Sequence, residues 1–312
     1  MAEQQPCMKY VDNQEVTEES VKKLFLEIAI CGVPNAGKSS FLNAFLQKKS
    51  SIVSNKPQTT RVPTIGVFEN DDITIQFTDS PGAFKARKGY SLEKIIAKQA
   101  WTVLGRSENV MLFIDGSREI CQNTEYLFQS LERDKKNNVI AVITKADFAS
   151  AKQKLELATT LSKRNIFDDI YMISSKTGAG MQNLMNYFKK ISTLEEVEQG
   201  SEVIQDKETF SSEITREVIF DSLYRELPYS CNVVTTSFEE NDKKIDIRQD
   251  ILVTRESHKI ILVGKRGLQI KEIGASSIDE MEKHFNKTVH LSLECRIDAK
   301  WRENFTLEVE LM

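Results

Sequence analysis

Gly32 and Gly37 bracket four residues and are followed at once by Lys38 and Ser39, within the stretch GVPNAGKSS. Glycines at that spacing let backbone amides turn inward around an anion, the lysine adds positive charge, and the hydroxyl beside it suits a hard divalent cation. An apolar run, Leu24 to Cys31, precedes the stretch and the helix-forming FLNAFL follows it. This is the strand, loop and helix setting of a Walker A phosphate loop, which an incidental glycine turn would lack. The loop from Asn35 through Ala36 and Gly37 to Ser40 is therefore expected to surround phosphate oxygens, with Lys38 against the β- and γ-phosphates and Ser39 on Mg2+.

Three further clusters extend that chemistry. SNKPQTTRVPTIGVFEN is a loop of switch length holding Thr59, Thr60 and Thr64, each able either to bond local backbone or to bring a second hydroxyl to Mg2+. Position relative to Lys38 favours Thr59 and Thr60, and Thr60 is assigned as the metal ligand. TDSPG closes an apolar strand, so Asp79 reaches the magnesium through water while the Gly82 amide meets the γ-phosphate and senses its loss. TKAD closes another strand. Asp147 accepts from the N1–H and exocyclic amine of guanine, whereas adenine presents the opposite polarity and would leave buried groups unpaired, at about 1–3 kcal/mol per group. Lys145 lays its stem along the base, and backbone amides at Ser174, Ser175 and Lys176 are expected at the guanine oxygen.

These clusters need a scaffold that lines them up. Strands are expected at Ile65–Glu69, Ile73–Phe77, Val110–Ile114 and in NVIAVITKAD and DIYMISS, with helices near 92–104, 124–136, 149–164 and 181–191 between or after them. Strand and helix alternating, with motifs on successive carboxyl ends, make an α/β fold with an open, mostly parallel sheet and nucleotide at its rim. The charged segment LEEVEQGSEVIQDKE reads as a linker. Beyond it, a helix from about Ser211 to Glu226 ends near Pro228 and strands follow at Asn232–Glu239 and Lys244–Thr254. Two helices then flank Gly264-Lys265-Arg266-Gly267, and TVHLSLECRI forms an alternating strand. A G-x-x-G between helices, beside a three-stranded sheet, admits a single-stranded nucleic-acid backbone because glycine has no side chain, and leaves bases against an apolar groove. Lys265, Arg266 and Lys271 add charge toward phosphate; an ordinary glycine turn is the plain alternative.

Composition bounds these readings. A chain of 312 residues exceeds what one core organises, and 40% apolar with 28% charged content describes an ordinary folded protein. Five scattered cysteines form no metal or redox spacing and read as reduced thiols of a cytosolic protein. No apolar run is long enough to span a bilayer, and the acidic first twenty residues read as a loose tail with neither a secretion nor a basic targeting signal. The net charge of -4 hides a local basic surface: Arg255, Lys259, Lys265, Arg266 and Lys271 fall within seventeen residues opposed only by Glu256. His258, His284 and His290 read as structural, and Trp301 and Phe305 as packing residues.

Taken together, GVPNAGKSS, KPQTTR, DSPG, TKAD and SSKTG, followed by LPYS and VGKRGLQIKEIG, resemble the Era GTPase family from about Leu24 onward. The separate G motifs recur in many GTPases; their combination with the second domain makes the match specific. The resemblance implies a P-loop GTPase domain over 21–195, a linker over 196–210 and an α+β type II KH domain over 211–312, after a tail over 1–20. It implies hydrolysis of GTP to GDP with Mg2+, binding near the 3′ end of small-subunit ribosomal RNA, assistance to small-subunit assembly, and a monomer off the ribosome. It further implies a cytoplasmic protein with peripheral association at the inner face of the cell membrane, which nothing in the composition shows. Asn35 stands where related GTPases place a ligand for an activating potassium ion, making K+ a candidate cofactor.

Two positions depart from common GTPase patterns. The usual N-K-x-D begins here with Thr144, replacing an amide that would meet base N7 and brace the phosphate loop. Ala83 follows D-x-x-G where many regulatory GTPases use glutamine, and the resembled family is also apolar there. Alanine cannot orient water, which keeps open an alternative: a weakly hydrolytic, GTP-responsive RNA-binding assembly factor.

Overall fold

The strands of the first half are Val-, Ile-, Leu- and Phe-rich on both faces, as a sheet covered by helices on both sides requires. The chain is described from a computed structural model over residues 20–46, 64–80, 91–133, 138–198, 207–223 and 227–302. Strand β1 (Ser20–Gly32) is central. On one edge it pairs in parallel with β3 (Ile73–Asp79), which carries antiparallel β2 (Thr64–Glu69) outside it. Its other edge is shared: β4 (Asn109–Asp115) takes Ala29 to Gly32 in parallel, and β7 (Thr193–Glu198) takes Ser20 to Phe25 antiparallel. Parallel β5 (Asn138–Thr144) and β6 (Asp169–Met172) complete the order β2-β3-β1-β4-β5-β6.

Alternate residues of the strands feed two cores. Ile28, Ile30, Phe77, Phe113 and Val142 meet α1 (Lys38–Leu46) and α5 (Met181–Ile191), where Phe41, Phe45 and Phe188 join Phe77 in an aromatic cluster. Ala29, Cys31, Leu112, Ile114 and Ile143 face the other way, against α2 (Ser91–Arg106), α3 (Gln122–Arg133) and α4 (Ala151–Ser162). Helices thus cover both faces, and the chain leaves β1 first to one side and then to the other, the switch at which such sheets bind ligands beyond their carboxyl ends.

Of the linker expected over 196–210, residues 196–198 belong to β7 and 207–210 to the next helix, α6 (Lys207–Ser222), and 199–206 lie outside the described residues. Part of the charge that suggested a linker is strand charge: Glu195 and Glu196 sit opposite Lys23 and Lys22 in the antiparallel register. Glu196 pairs with Lys22 at 3.8 Å, while Lys23 pairs with Glu69 on β2. Helix α6 starts four residues earlier than expected and stops before Pro228, which lies in a 3-10 turn, Leu227–Ser230. Its earlier start brings Phe210 into the core with Ile214, Ile245, Ile247 and Met281.

In the second half, β8 (Cys231–Glu240) runs antiparallel and β10 (Thr288–Ile297) parallel to the central β9 (Lys244–Val253). The parallel pair demands a crossover. It is supplied by α7 (Glu256–Val263), the Gly264–Gly267 turn and α8 (Leu268–Phe285). The order α-β-β-α-α-β is that expected of a type II KH domain. Trp301 is buried, as a packing residue should be, and His258 and His290 are held by Arg255 and Asp246. Among the described residues no helix is long and apolar enough to cross a membrane, and no cluster of His, Cys, Asp and Glu resembles a metal site.

Candidate nucleotide and RNA sites

Strand register sets the rim of the first sheet. Asp79 lies opposite Ile30 and Asp115 opposite Thr144, so the ends of β3, β4 and β5 come level with the loop that leaves β1. In that loop Asn35 adopts a left-handed backbone (φ 65°), and helix α1 begins at Lys38. Lys38 is 6% exposed, its ammonium donating to the Gly32 and Val33 carbonyls at 3.1 and 3.3 Å. Burial pushes its pKa below the usual lysine range, opposed by Asp79 and by Cys31. The Cys31 thiol itself is pushed by burial up to about 12 and stays protonated.

The Ser39 hydroxyl donates to Asp79 Oδ2 at 3.1 Å. A hydroxyl and a carboxylate brought together beside a phosphate loop are hard oxygen donors, and they fit Mg2+. The other expected metal ligand, Thr60, and Gly82 and Ala83 lie outside the described residues. Ser40 sits half-buried in the first turn of α1.

Thr144 is buried and spends its hydroxyl on the loop: it donates to the Ala36 carbonyl at 2.7 Å, with the Ile114 carbonyl at 3.2 Å. A Cβ on Gly37, at φ 92°, would come within 3.3 Å of the Thr144 side chain, so loop and residue are in close contact. Lys145 reaches back to the phosphate loop, donating to the Asn35 carbonyl at 3.2 Å. Its main partner was not expected: Asp115 Oδ2 at 2.7 Å. Burial pushes the Asp115 carboxyl up, but hydrogen bonds from Lys145 and from the Ser117 hydroxyl and amide outweigh it and leave the pKa below the ordinary value. Asp115 carried one signal in the sequence, its place at the carboxyl end of the apolar run NVMLFID, where ligand-site residues of such sheets gather.

Asp147 is exposed at the rim and accepts from the Ser174 hydroxyl at 2.7 Å. The loop holding it is closed by the Ser150 cap of α4, a capping box with Gln153. Ser174 therefore differs from its expected role. Its amide donates to the Ala179 carbonyl at 3.0 Å, because the tight SSKTGAG turn folds back on itself, and its side chain positions Asp147. Ser175 and Lys176 remain on the turn, with the Lys176 ammonium 5.8 Å from the centre of the exposed Phe148 ring. Phe148 gave no sequence signal beyond following Asp147.

The second loop is built by backbone. Gly264 has φ 72° and ψ 177°, a conformation essentially confined to glycine, and a Cβ there would come 2.6 Å from Gln269 Cβ. Arg266 and Gly267 follow in left-handed conformations. The turn holds Lys265 and Arg266 in solvent, with Lys271 exposed one turn into α8. Ile260, Ile261 and Leu268 are each more than half exposed on the flanking helices, apolar surface beside cations.

Comparison with known proteins agrees with both halves. The family described as "50S ribosome-binding GTPase" matches residues 27–145, and the KH domain family matches 226–302. The GTPase Era of Erythrobacter litoralis is 33% identical over 284 residues, covering 89% of this chain and 92% of the relative. That of Ehrlichia canis is 34% identical over 279 residues, covering 88% and 93%. A crystal structure of Era with MgGDPNP and nucleotides 1506–1542 of 16S ribosomal RNA superposes with a TM-score of 0.85 at 29% identity, covering 92% of this chain and 98% of that one. An Aquifex aeolicus Era variant bound to GDP and AlF4- gives 0.84 at 29% identity, covering 93% and 98%.

Proposed function

The chain belongs to the Era GTPase family, and from that premise we propose that it hydrolyses GTP and uses its nucleotide state to control binding of small-subunit ribosomal RNA near the 3′ end, in assembly of that subunit. The observation that carries the reading is the level rim of buried or hydrogen-bonded side chains, Lys38, Ser39, Asp79, Thr144, Lys145 and Asp147, on one chain with an exposed basic G-x-x-G turn.

Each residue has a definable task. When phosphates enter, Lys38 exchanges two loop carbonyls for the β- and γ-phosphates, in a site dry enough to make that charge effective. Loop amides from Asn35 to Ser40 and the Gly82 amide hold the remaining oxygens, with Thr60 and Gly82 completing the site around the attacking water. Ser39, Thr60 and Asp79 are proposed to hold Mg2+, which would neutralise charge developing on the phosphates. Asp147, held by Ser174, reads the guanine edge, and amides at Ser175 and Lys176 face its oxygen. K+ at Asn35 is a proposal on the same footing. Lys265, Arg266 and Lys271 hold RNA phosphates, with Gly264 and Gly267 letting the strand approach and Ile260, Ile261 and Leu268 meeting its bases. The relative solved with nucleotides 1506–1542 of 16S ribosomal RNA supports that partner. A monomeric, cytoplasmic protein is proposed with it; peripheral membrane association rests on the family resemblance alone.

Competition binding tests the reading. GTP is expected to outcompete ATP, and Asp147→Asn to shift preference toward XTP, whose C2 carbonyl accepts from the new amide. A GTP to XTP ratio unchanged by the substitution would remove Asp147 as the base reader.

A further inference from the structure

Guanine N7 is a lone-pair acceptor, so a site can read it only with a donated hydrogen. Three side-chain donors at the base end, among the described residues, are already directed elsewhere. Lys145 aims its ammonium at Asp115 and at the Asn35 carbonyl, at 2.7 and 3.2 Å. The Ser174 hydroxyl is on Asp147. Thr144 stands at the head of the base-reading motif, where an asparagine would bring two amide hydrogens, but a hydroxyl has one. That hydrogen lies on the Ala36 carbonyl at 2.7 Å, with the Ile114 carbonyl at 3.2 Å taking any share that is left. Thr144 is only 2% exposed. A Cβ on Gly37 would come 3.3 Å from its side chain, so the phosphate loop lies directly against it.

Resting on the guanine-nucleotide reading above, we propose that Thr144 is a positioning residue for the phosphate loop and leaves base N7 unread, so that this site chooses guanine without N7, through Asp147 and the amides at Ser175 and Lys176, and accepts 7-deazaguanine nucleotides as well as guanine ones. Bracing and base reading, which one asparagine amide could do together, are here separated. Losing the N7 contact costs affinity for the base but not selectivity, because adenine and guanine carry the same N7 acceptor and differ at the edge that Asp147 faces.

The test is displacement of a fluorescent guanine nucleotide from the full chain by GTP, 7-deaza-GTP and ATP. The expected result is equal displacement by GTP and 7-deaza-GTP, each far better than ATP. In Thr144→Asn, where the second amide hydrogen can reach N7, 7-deaza-GTP should fall behind GTP by about two- to ten-fold, the worth of one neutral hydrogen bond. Thr144→Ser keeps the single hydrogen and should leave the ratio at one. Three-fold or greater discrimination against 7-deaza-GTP by the wild-type protein would overturn the proposal, because some donor would then be reading N7. A Thr144→Asn protein that remained indifferent would overturn the claim that residue 144 decides it. Failure of GTP to outcompete ATP is a separate signature: it would remove the guanine reading, and the proposal with it.

Discussion

Lys38 and Lys265 both belong to a glycine-bracketed loop and the helix it leads into, Lys38 just after the second glycine and Lys265 between its two, yet the fold treats them in opposite ways. Lys38 is buried, bonded to two carbonyls and close enough to Asp79 to feel its charge. Lys265, with Arg266, stands in solvent on a turn whose shape comes from backbone conformation. A desolvated cation with fixed partners gives a strong and geometrically selective contact, little screened by salt. Exposed cations give long-range, sequence-tolerant attraction that salt weakens. The first loop suits a small ligand whose every oxygen is placed; the second suits a polymer whose backbone must be tracked while its bases are read elsewhere.

The largest effect should come from the buried side. Lys38→Ala removes charge-assisted bonds to two phosphates and is expected to weaken GTP binding by about 2–4 kcal/mol, roughly 30- to 1,000-fold, with RNA binding in the absence of nucleotide unchanged. Titration calorimetry would measure it, and a loss below three-fold would break the contrast by showing that burial does not make Lys38 decisive. On the exposed side, Lys265→Asp with Arg266→Asp should cost about ten- to a hundred-fold in affinity for a single-stranded small-subunit RNA tail at low salt. With two cations removed from the phosphate track, the slope of log affinity against log salt should flatten by about 1.4, with GTP affinity intact. Equal RNA binding by the two proteins would take the turn out of the RNA site.

Gly264→Ala asks whether backbone shape, rather than charge, builds the second loop. It forces a side chain into a glycine-only conformation against Gln269 and should cost about 1–3 kcal/mol in stability of the second domain, seen as a lower unfolding midpoint, while leaving both cations in place. A variant of wild-type stability would show that the turn tolerates other geometry. The smallest effect belongs to the support of the first loop. Asp115→Asn loses the ion pair to Lys145 and should destabilise by about 1–2 kcal/mol at neutral pH. The folded Asp115 carboxyl titrates below its unfolded value, so its contribution is present above the unfolded pKa and is lost as pH falls through the folded one. Urea unfolding of wild type and variant should therefore converge as pH drops below about 4; a difference that persisted there would assign the effect to packing instead of charge.

Much of this site was legible in the chain because its motifs are local. Gly32 to Ser39, Asp79 to Gly82 and Thr144 to Asp147 each join a strand end to charged or glycine-bearing residues within a short stretch, as the carboxyl ends of a doubly wound sheet require. Gly264 to Gly267 is local in the same sense, and α5 and β10 begin and end where their patterns place them. Charge patterning misled at 195–198, where glutamates that suggested a solvated linker lie on a strand, Glu195 and Glu196 opposite Lys23 and Lys22 of β1. Nothing near Glu195 or Glu196 in the chain announces a strand more than 170 residues away.

The sequence by itself determined which chemistry the chain carries, since phosphate, metal and base contacts each need a particular residue type at a particular turn, and turns are written in contiguous residues. Only the tertiary structure decided which partner each of those residues keeps. Parallel register sets Asp115 level with Thr144, and so gives Lys145 an anion thirty residues away. The fold of the SSKTGAG turn withdraws the Ser174 amide and lends its hydroxyl to Asp147. Close packing of the phosphate loop onto β5 commits the one hydrogen of Thr144 to Ala36. Hydrogen-bond partners are settled by which buried groups would otherwise go unsatisfied, and that depends on what the sheet brings together rather than on what the chain places side by side.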